Sequence, residues 1–193
     1  PAAVEDLTSS CGSLAEPGQP LPTGSEAGTA CADAILSVYS EGTTTRGEKA
    51  FEGFNARRIE PQYAFAAQLQ AGYTDEEVAG FASQAREQNI AAKEGTTQKI
   101  GSKDVTGWVR YYDQITDLIK TLKENGFDVR IISASAEPVA RVWAEPLGLT
   151  DNKVMGVAMA HDGDRITASL MPCGGDEASM PYIEGKRCRV NQD

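Results

Sequence analysis

Gly126-Phe127-Asp128-Val129-Arg130-Ile131-Ile132-Ser133-Ala134-Ser135-Ala136-Glu137-Pro138-Val139 decides the fold class. Glycine at position 126 ends the helix before it, and the run Phe127–Ile132 is apolar and β-branched enough to read as a strand. Ser133-Ala134-Ser135 reads as the turn leaving that strand, and Glu137 to Leu147 as a helix stopped by Gly148. Upstream, residues 108–125 place Tyr111, Ile115, Leu118, Ile119 and Leu122 on one helical stripe. Downstream, Val154–Met159 reads as a second strand. Helix, strand, helix, strand in that order predicts a crossover and a parallel sheet, hence an α/β fold. His161-Asp162-Gly163-Asp164 then turns into Arg165–Leu170 as a hairpin, and Tyr182–Glu184 is the last strand expected.

The first half of the chain has a different character. Residues 1–28 are rich in Pro, Gly, Ser and Thr and show no period, which predicts an irregular connector. From Thr29 the residues Cys31, Ala34, Ile35, Val38 and Tyr39 share a helical face, and Gly42 ends it. Residues 40–60 read as a loop carrying Phe51 and Phe54. Pro61 suits the first turn of a second helix, running past Tyr63 and Gln70 to Gly72. Thr74 and Glu77 form a capping box for a third helix, with Val78, Phe81, Ala82 and Ala85 as its stripe and Lys93 or Glu94 as its end. The expected organisation is therefore a connector over 1–28, a strandless helical layer over 29–107 and an α/β segment over 108–193.

Charge narrows the partners. Asp and Glu outnumber Lys and Arg 28 to 18, for a net charge of -10, which argues against nucleic acid. No apolar run approaches the roughly 20 residues of a membrane span. Pro1 opens a polar stretch instead of a signal peptide, so the chain reads as cytosolic, or as the mature part of an exported protein. The cysteines tilt this towards export. Cys11 and Cys31 form one near pair and Cys173 and Cys188 another, in turn-like flanks (Ser10-Cys11-Gly12, Pro172-Cys173-Gly174) that suit local disulfides. Four free thiols are the alternative. A zinc site has no CxxC to stand on and one histidine, His161.

Ligands of α/β sheets bind beyond the carboxyl ends of the parallel strands. Ser133 sits at such an end, with a hydroxyl and following backbone N–H groups at the entry of a helix, a place suited to phosphate. Lys186, after the last expected strand and Gly185, adds a positive charge. Taken singly, such a serine is an ordinary N-cap and such a lysine a solvated turn.

Together these residues carry a resemblance. Gly126 to Val139 resembles the second motif of the haloacid dehalogenase superfamily, an apolar strand ending in Ser or Thr. Val154-Met155-Gly156-Val157 and Tyr182-Ile183-Glu184-Gly185-Lys186-Arg187-Cys188-Arg189-Val190-Asn191 look like the next strand and the third motif, whose lysine contacts the phosphoryl group. The wording is similar to a bacterial branch with phosphorylcholine phosphatases and phosphoserine phosphatase-like proteins. The resemblance implies a Rossmann-like core with an inserted helical cap, and magnesium-dependent hydrolysis of a small phosphorylated alcohol through an aspartyl-phosphate. It gives Ser133 and Lys186 the phosphoryl-binding roles, with backbone donors from Ala134 and Ser135.

The remaining motifs of that family have no counterpart here. Its nucleophile opens an Asp-x-Asp block before the cap, and nothing upstream of Thr29 matches. Its Gly-Asp-x-x-x-Asp block, which helps ligate magnesium, has no match after Lys186. Asp162-Gly163-Asp164 follows an apolar strand, but it reads as a hairpin turn. The expectation is a cap plus half a core, with a sheet edge left for the missing strands, magnesium ligands elsewhere, and no turnover by this chain alone. A non-enzymatic small-ligand module, a degenerate relative, is the alternative. The cap would select the substrate, through aromatic faces able to hold a quaternary ammonium. Glu60, Gln62 and Tyr63 are the first candidates, whereas Tyr39 and Phe81 read as buried stripe residues.

Overall fold

The computed structural model describes all residues except 1, 15, 23, 174–179 and 193. The Gly174 flank of the second cysteine pair therefore lies outside the described residues. The fold is mixed α/β, with seven α-helices and three two-stranded sheets among the described residues.

The helix ends follow local chemistry. Helix α2 (Glu26–Glu41) begins three residues before the expected Thr29, because Ser25 is its N-cap and accepts from Gly28 N at 3.0 Å. Gly42 closes it at φ 66°, in the left-handed region. Pro61 opens α3 (Pro61–Gln68). Thr74 caps α4 (Asp75–Ala91) as half of a capping box: its hydroxyl accepts from Glu77 N at 3.1 Å, and its N–H donates to Glu77 Oε2 at 2.8 Å. The far end of α4 is closed by Arg110, which donates to the carbonyls of Ile90 (3.0 Å) and Ala92 (2.5 Å).

Two expectations for the first half fail. Residues 1–28 are not a connector throughout, since α1 covers Ala2–Cys11. A ten-residue helix is marginal alone; this one is held by Cys11–Cys31 and by the buried Asp6, which accepts from Thr45 N and Oγ1 at 2.9 Å each. The helical layer is not strandless either. Strands β1 (Thr97–Ile100) and β2 (Lys103–Thr106) form an antiparallel hairpin around Gly101-Ser102, fixed on α2 by Ser102 N donating to Asp33 Oδ1 at 2.8 Å.

In the second half the order is as expected as far as the 161–164 hairpin, and the register is not. Helix α5 (Asp113–Glu124) ends in paired reverse bonds: Phe127 N donates to Leu122 O and Gly126 N to Lys123 O, both at 3.0 Å, with Gly126 at φ 81°. That closure uses Phe127, and the neighbouring Asp128 is held by Lys153 and Arg130, so β3 starts four residues later than expected and spans Ile131–Ala136. Ser133-Ala134-Ser135 is therefore inside the strand. Helix α6 (Glu137–Ala144), a 3-10 turn (Glu145–Leu147) and left-handed Gly148 follow. Strand β4 (Val154–Val157) returns parallel to β3, while the other edge of β3 is unpaired among the described residues.

The expected Val154–Met159 strand breaks at Ala158. Met159 instead opens β5 (Met159–Asp162), which pairs antiparallel with β6 (Arg165–Leu170). The expected strand Tyr182–Glu184 is absent, and α7 (Glu184–Gln192) begins there. Glu184 is engaged at once by Arg57 (2.5 Å) and Arg58 (3.3 Å), and Cys188 by Cys173. Both disulfides read from the sequence are thus present. No helix of the described residues is long and apolar enough to cross a membrane.

One apolar cluster fuses the two halves. Ala64, Ala67 and Val78 of the helical layer pack with Ala136, Val157, Met159, Ile166 and Met180. Backbone bonds reinforce it, with Gly72 N donating to Ile166 O and Ile166 N to Tyr73 O, both at 2.8 Å.

Candidate functional site

The ladder between β3 and β4 is irregular where chemistry was expected. Ile132 pairs with Met155 and Ala136 with Val157, so four steps on β3 face two on β4. Ser133, Ala134 and Ser135 are pushed out as a bulge, a device that re-aims side chains and is common beside active sites. Ser133 Oγ accepts from Ser135 N at 3.1 Å and holds the bulge closed.

Above the bulge lies a cleft of about 410 Å³. Tyr39 of α2, Tyr63 of α3 and Gln70 form its helical side; Ala134, Ser135 and Val139 form the other. Tyr39 and Tyr63 remain 42% and 45% exposed, so their rings face the opening and not the core. Gln62 Nε2 donates to Tyr39 O at 2.9 Å, which ties the start of α3 to the last turn of α2 and sets the distance between the two tyrosines.

A second cleft of about 300 Å³ lies on the other side of Gln70, between α4, α6 and β5. Its charges are mostly matched: Arg141 donates to Glu137 Oε1 at 2.6 Å, Gly156 N donates to Glu137 Oε2 at 3.1 Å, and His161 Nε2 lies 3.3 Å from Asp75 Oδ1. Tyr111, away from both clefts, donates to Trp143 O at 2.7 Å, and burial is the main reason its phenol titrates above the usual range.

Of the residues singled out from sequence, the structure gathers Tyr63, Ala134 and Ser135 around the first cleft. Ser133 stands behind them as the lock on the bulge, and its bond takes up the Ser135 N–H that was expected to be open to a ligand. Glu60 and Gln62 are outside the lining; Glu60 N donates to Met180 Sδ at 3.3 Å and Gln62 serves α2. Lys186 is an exposed residue of α7 and is not part of the lining of this cleft. Tyr39 is a correction, being a cleft residue and not a core one. Phe81 is likewise half exposed, edge-on to Tyr73 at 5.3 Å between centroids.

Gln70 was not singled out, and no local pattern marks it. The described residues offer no group of three or more His, Cys, Asp or Glu placed to hold a metal ion. The cleft lining supplies hydroxyls, an amide and aromatic faces, and no carboxylate or imidazole beside Ser135. It can bind and orient; a serine without an adjacent base is a poor nucleophile. No protein-family model, curated protein or solved structure matches the chain.

Proposed function

We propose that this chain is the ligand-binding part of a phosphatase of the haloacid dehalogenase type, a helical cap with half of a Rossmann-like core. Its cleft receives a small phosphorylated alcohol of the phosphorylcholine or phosphoserine class. The bulge at the carboxyl end of β3, which carries Ser135 into the cleft beneath Tyr39 and Tyr63, is the observation that supports this most. The unpaired edge of β3 is consistent with further core strands in the parent protein. In this scheme the attacking aspartate and the magnesium ligands belong to the parent outside these residues, and Lys186 meets the phosphoryl group once that core is complete. The two disulfides fit an exported protein.

A non-enzymatic small-ligand module is the second reading. The lack of a base beside Ser135 favours it. The two diverge on the parent, whose flanks-restored form hydrolyses an aryl phosphate in a magnesium-dependent manner under the first reading and not under the second. On the chain itself, O-phosphoserine or phosphorylcholine should bind in a calorimetric titration, and Ser135→Ala should weaken binding about three- to tenfold, the worth of one hydrogen bond. Absence of binding overturns the phosphate reading. Turnover by the 193-residue chain alone would overturn the assignment of the nucleophile to the parent.

A further inference from the structure

Two clefts larger than the candidate site lie across α3 from it. The first, of about 800 Å³, is bordered by the 48–52 loop, and the second, of about 690 Å³, by the loop that follows α1. Leu7 and Gln68 line both, so the clefts adjoin there. Helical stripes run through that neck. Val4 and Leu7 of α1 line the first cleft, and Leu7 and Cys11 the second, at spacings of three and four. On α2, Val38 lines the first cleft and Ile35 and Ala32 the second, three apart. The two clefts are therefore one elongated groove, walled by α1 and α3 and floored by α2.

Its chemistry is one-sided. None of the lining residues on the three helices is charged. Gln68 is the one polar side chain among them, and its Nε2 donates to Ala168 O at 3.0 Å. The charged residues of the lining, Glu16, Glu48, Lys49 and Glu52, sit on the bordering loops and are exposed. A ligand that fills the groove is thus hydrocarbon along its length, with its polar group at an end. A neck between two chambers suits an unbranched chain better than a compact ring system. Lys49 is the only cation of either lining and makes no ion pair among the described residues, whereas Glu48 beside it is held by Arg46 at 3.0 Å. We propose that this groove binds a single acyl chain, with an anionic head at Lys49 and the tail running past Leu7 towards Ile35. It is independent of the phosphate-ester reading, because α3 stands between the two sites.

The test is a chain-length series on the intact chain. Hexanoate, octanoate, decanoate, dodecanoate and tetradecanoate are titrated calorimetrically below micelle-forming concentrations, beside a monoacyl phosphatidylglycerol and dodecyltrimethylammonium. Affinity in the wild type should rise about fourfold per methylene until the groove is full, at one ligand per chain. Ile35→Trp, which fills the second cleft, should weaken tetradecanoate about tenfold and leave hexanoate unchanged; Ala32→Phe is the second variant, and both are checked by thermal melting. Lys49→Gln should weaken dodecanoate about two- to fivefold. Tighter binding of the free acids than of the monoacyl lipid identifies a fatty acid, and the reverse a lipid, as the natural source; both support the groove. No dependence on chain length overturns the proposal. So does binding of several ligands per chain that ignores both cleft-filling variants, which is adsorption to exposed apolar surface. Tighter binding of the ammonium amphiphile overturns the placing of an anionic head at Lys49. Competition with O-phosphoserine would put both ligands in one site and overturn the separate groove.

Discussion

Replacing Gly156 by alanine probes the junction on which the candidate site depends. A Cβ at position 156 would lie 2.7 Å from Glu137 N and 2.8 Å from Ser135 O, and closer still to Glu137 Cα. All three are backbone atoms, so no side chain can swing aside. Overpacking of a close-fitted site costs about 1–3 kcal/mol, and backbone contacts place this one near about 3. The alanine also restricts the unfolded chain, which returns about 0.4–1 kcal/mol. A net loss of about 2 kcal/mol follows, or about 4–8 °C of melting temperature for a chain of this size.

The relief of that clash has a direction. Ser135 and Glu137 flank the end of the bulge, so α6 moves off β4 and the 3.1 Å bond from Gly156 N to Glu137 Oε2 lengthens. Ligand affinity in the cleft should then fall together with stability. Thermal melting followed by circular dichroism, with a ligand titration at a temperature where both proteins are folded, checks both effects. A variant that melts within about 1 °C of the wild type would refute the close seating of α6 on β4, and with it the reason for the bulge.

Unreduced, unfolded protein should titrate no free thiol, and Cys173→Ser with Cys188→Ser should lower stability by about 3 kcal/mol in denaturant unfolding, as expected for opening a loop of this length. Acid should destabilise the fold through two surface carboxylates. Hydrogen bonds from Lys153 and then Arg130 hold Asp128 below its usual value, and those from Arg57 and then Arg58 do the same for Glu184. With both folded-state values depressed, their contribution is complete above the ordinary carboxylate range and is lost as pH falls below about 4. Asp128→Asn and Glu184→Gln should flatten that acid limb, and high salt should flatten it in the wild type; an acid limb unchanged by either substitution would contradict the assignment.

What could be read from the sequence was whatever a few neighbouring residues decide. Thr74 with Glu77, Pro61, Gly42 and Gly148 mark their helix ends where the structure has them, because capping is settled within one turn. The parallel order of β3 and β4 and the 161–164 turn were legible for the same reason. The start of β3 was not. Gly126 correctly ends α5, but the closing turn consumes Phe127, and the pull of Lys153 on Asp128 comes from 25 residues away. Helix α7 escaped because its first residue answers to Arg57 and Arg58, 127 and 126 positions earlier. The β1–β2 hairpin did carry a signal in Ile100-Gly101-Ser102-Lys103, a two-residue loop, but its strands are exposed and lack an apolar face.

The site divides along the same line. Ser133–Ser135 stand out in the sequence because an apolar strand ending in small hydroxyl residues is a local pattern. The roles then shifted, with Ser135 reaching the cleft and Ser133 bracing it. Gln70, whose buried Oε1 has no partner among the described residues, is illegible in principle, since such an acceptor is defined by what fails to come near it in space. Tyr39 obeys the helical period of its neighbours yet stands at a mouth and not in a core, a distinction the period does not make.

The pairing of Gly72 and Tyr73 with Ile166, inside the apolar cluster common to both halves, bears on how the two halves can move. A layer that pivots to admit its guest needs a seam it can part without exposing grease, and no such seam runs along this line. Parting it would break two sheet-like bonds and wet Val78, Val157, Met159 and Ile166 at once. The helical layer and the sheets therefore rise and fall as one cooperative body, and the half-exposed rings of Tyr39 and Tyr63 move on fixed backbones, on the fast clock of side chains and not the slow one of domains.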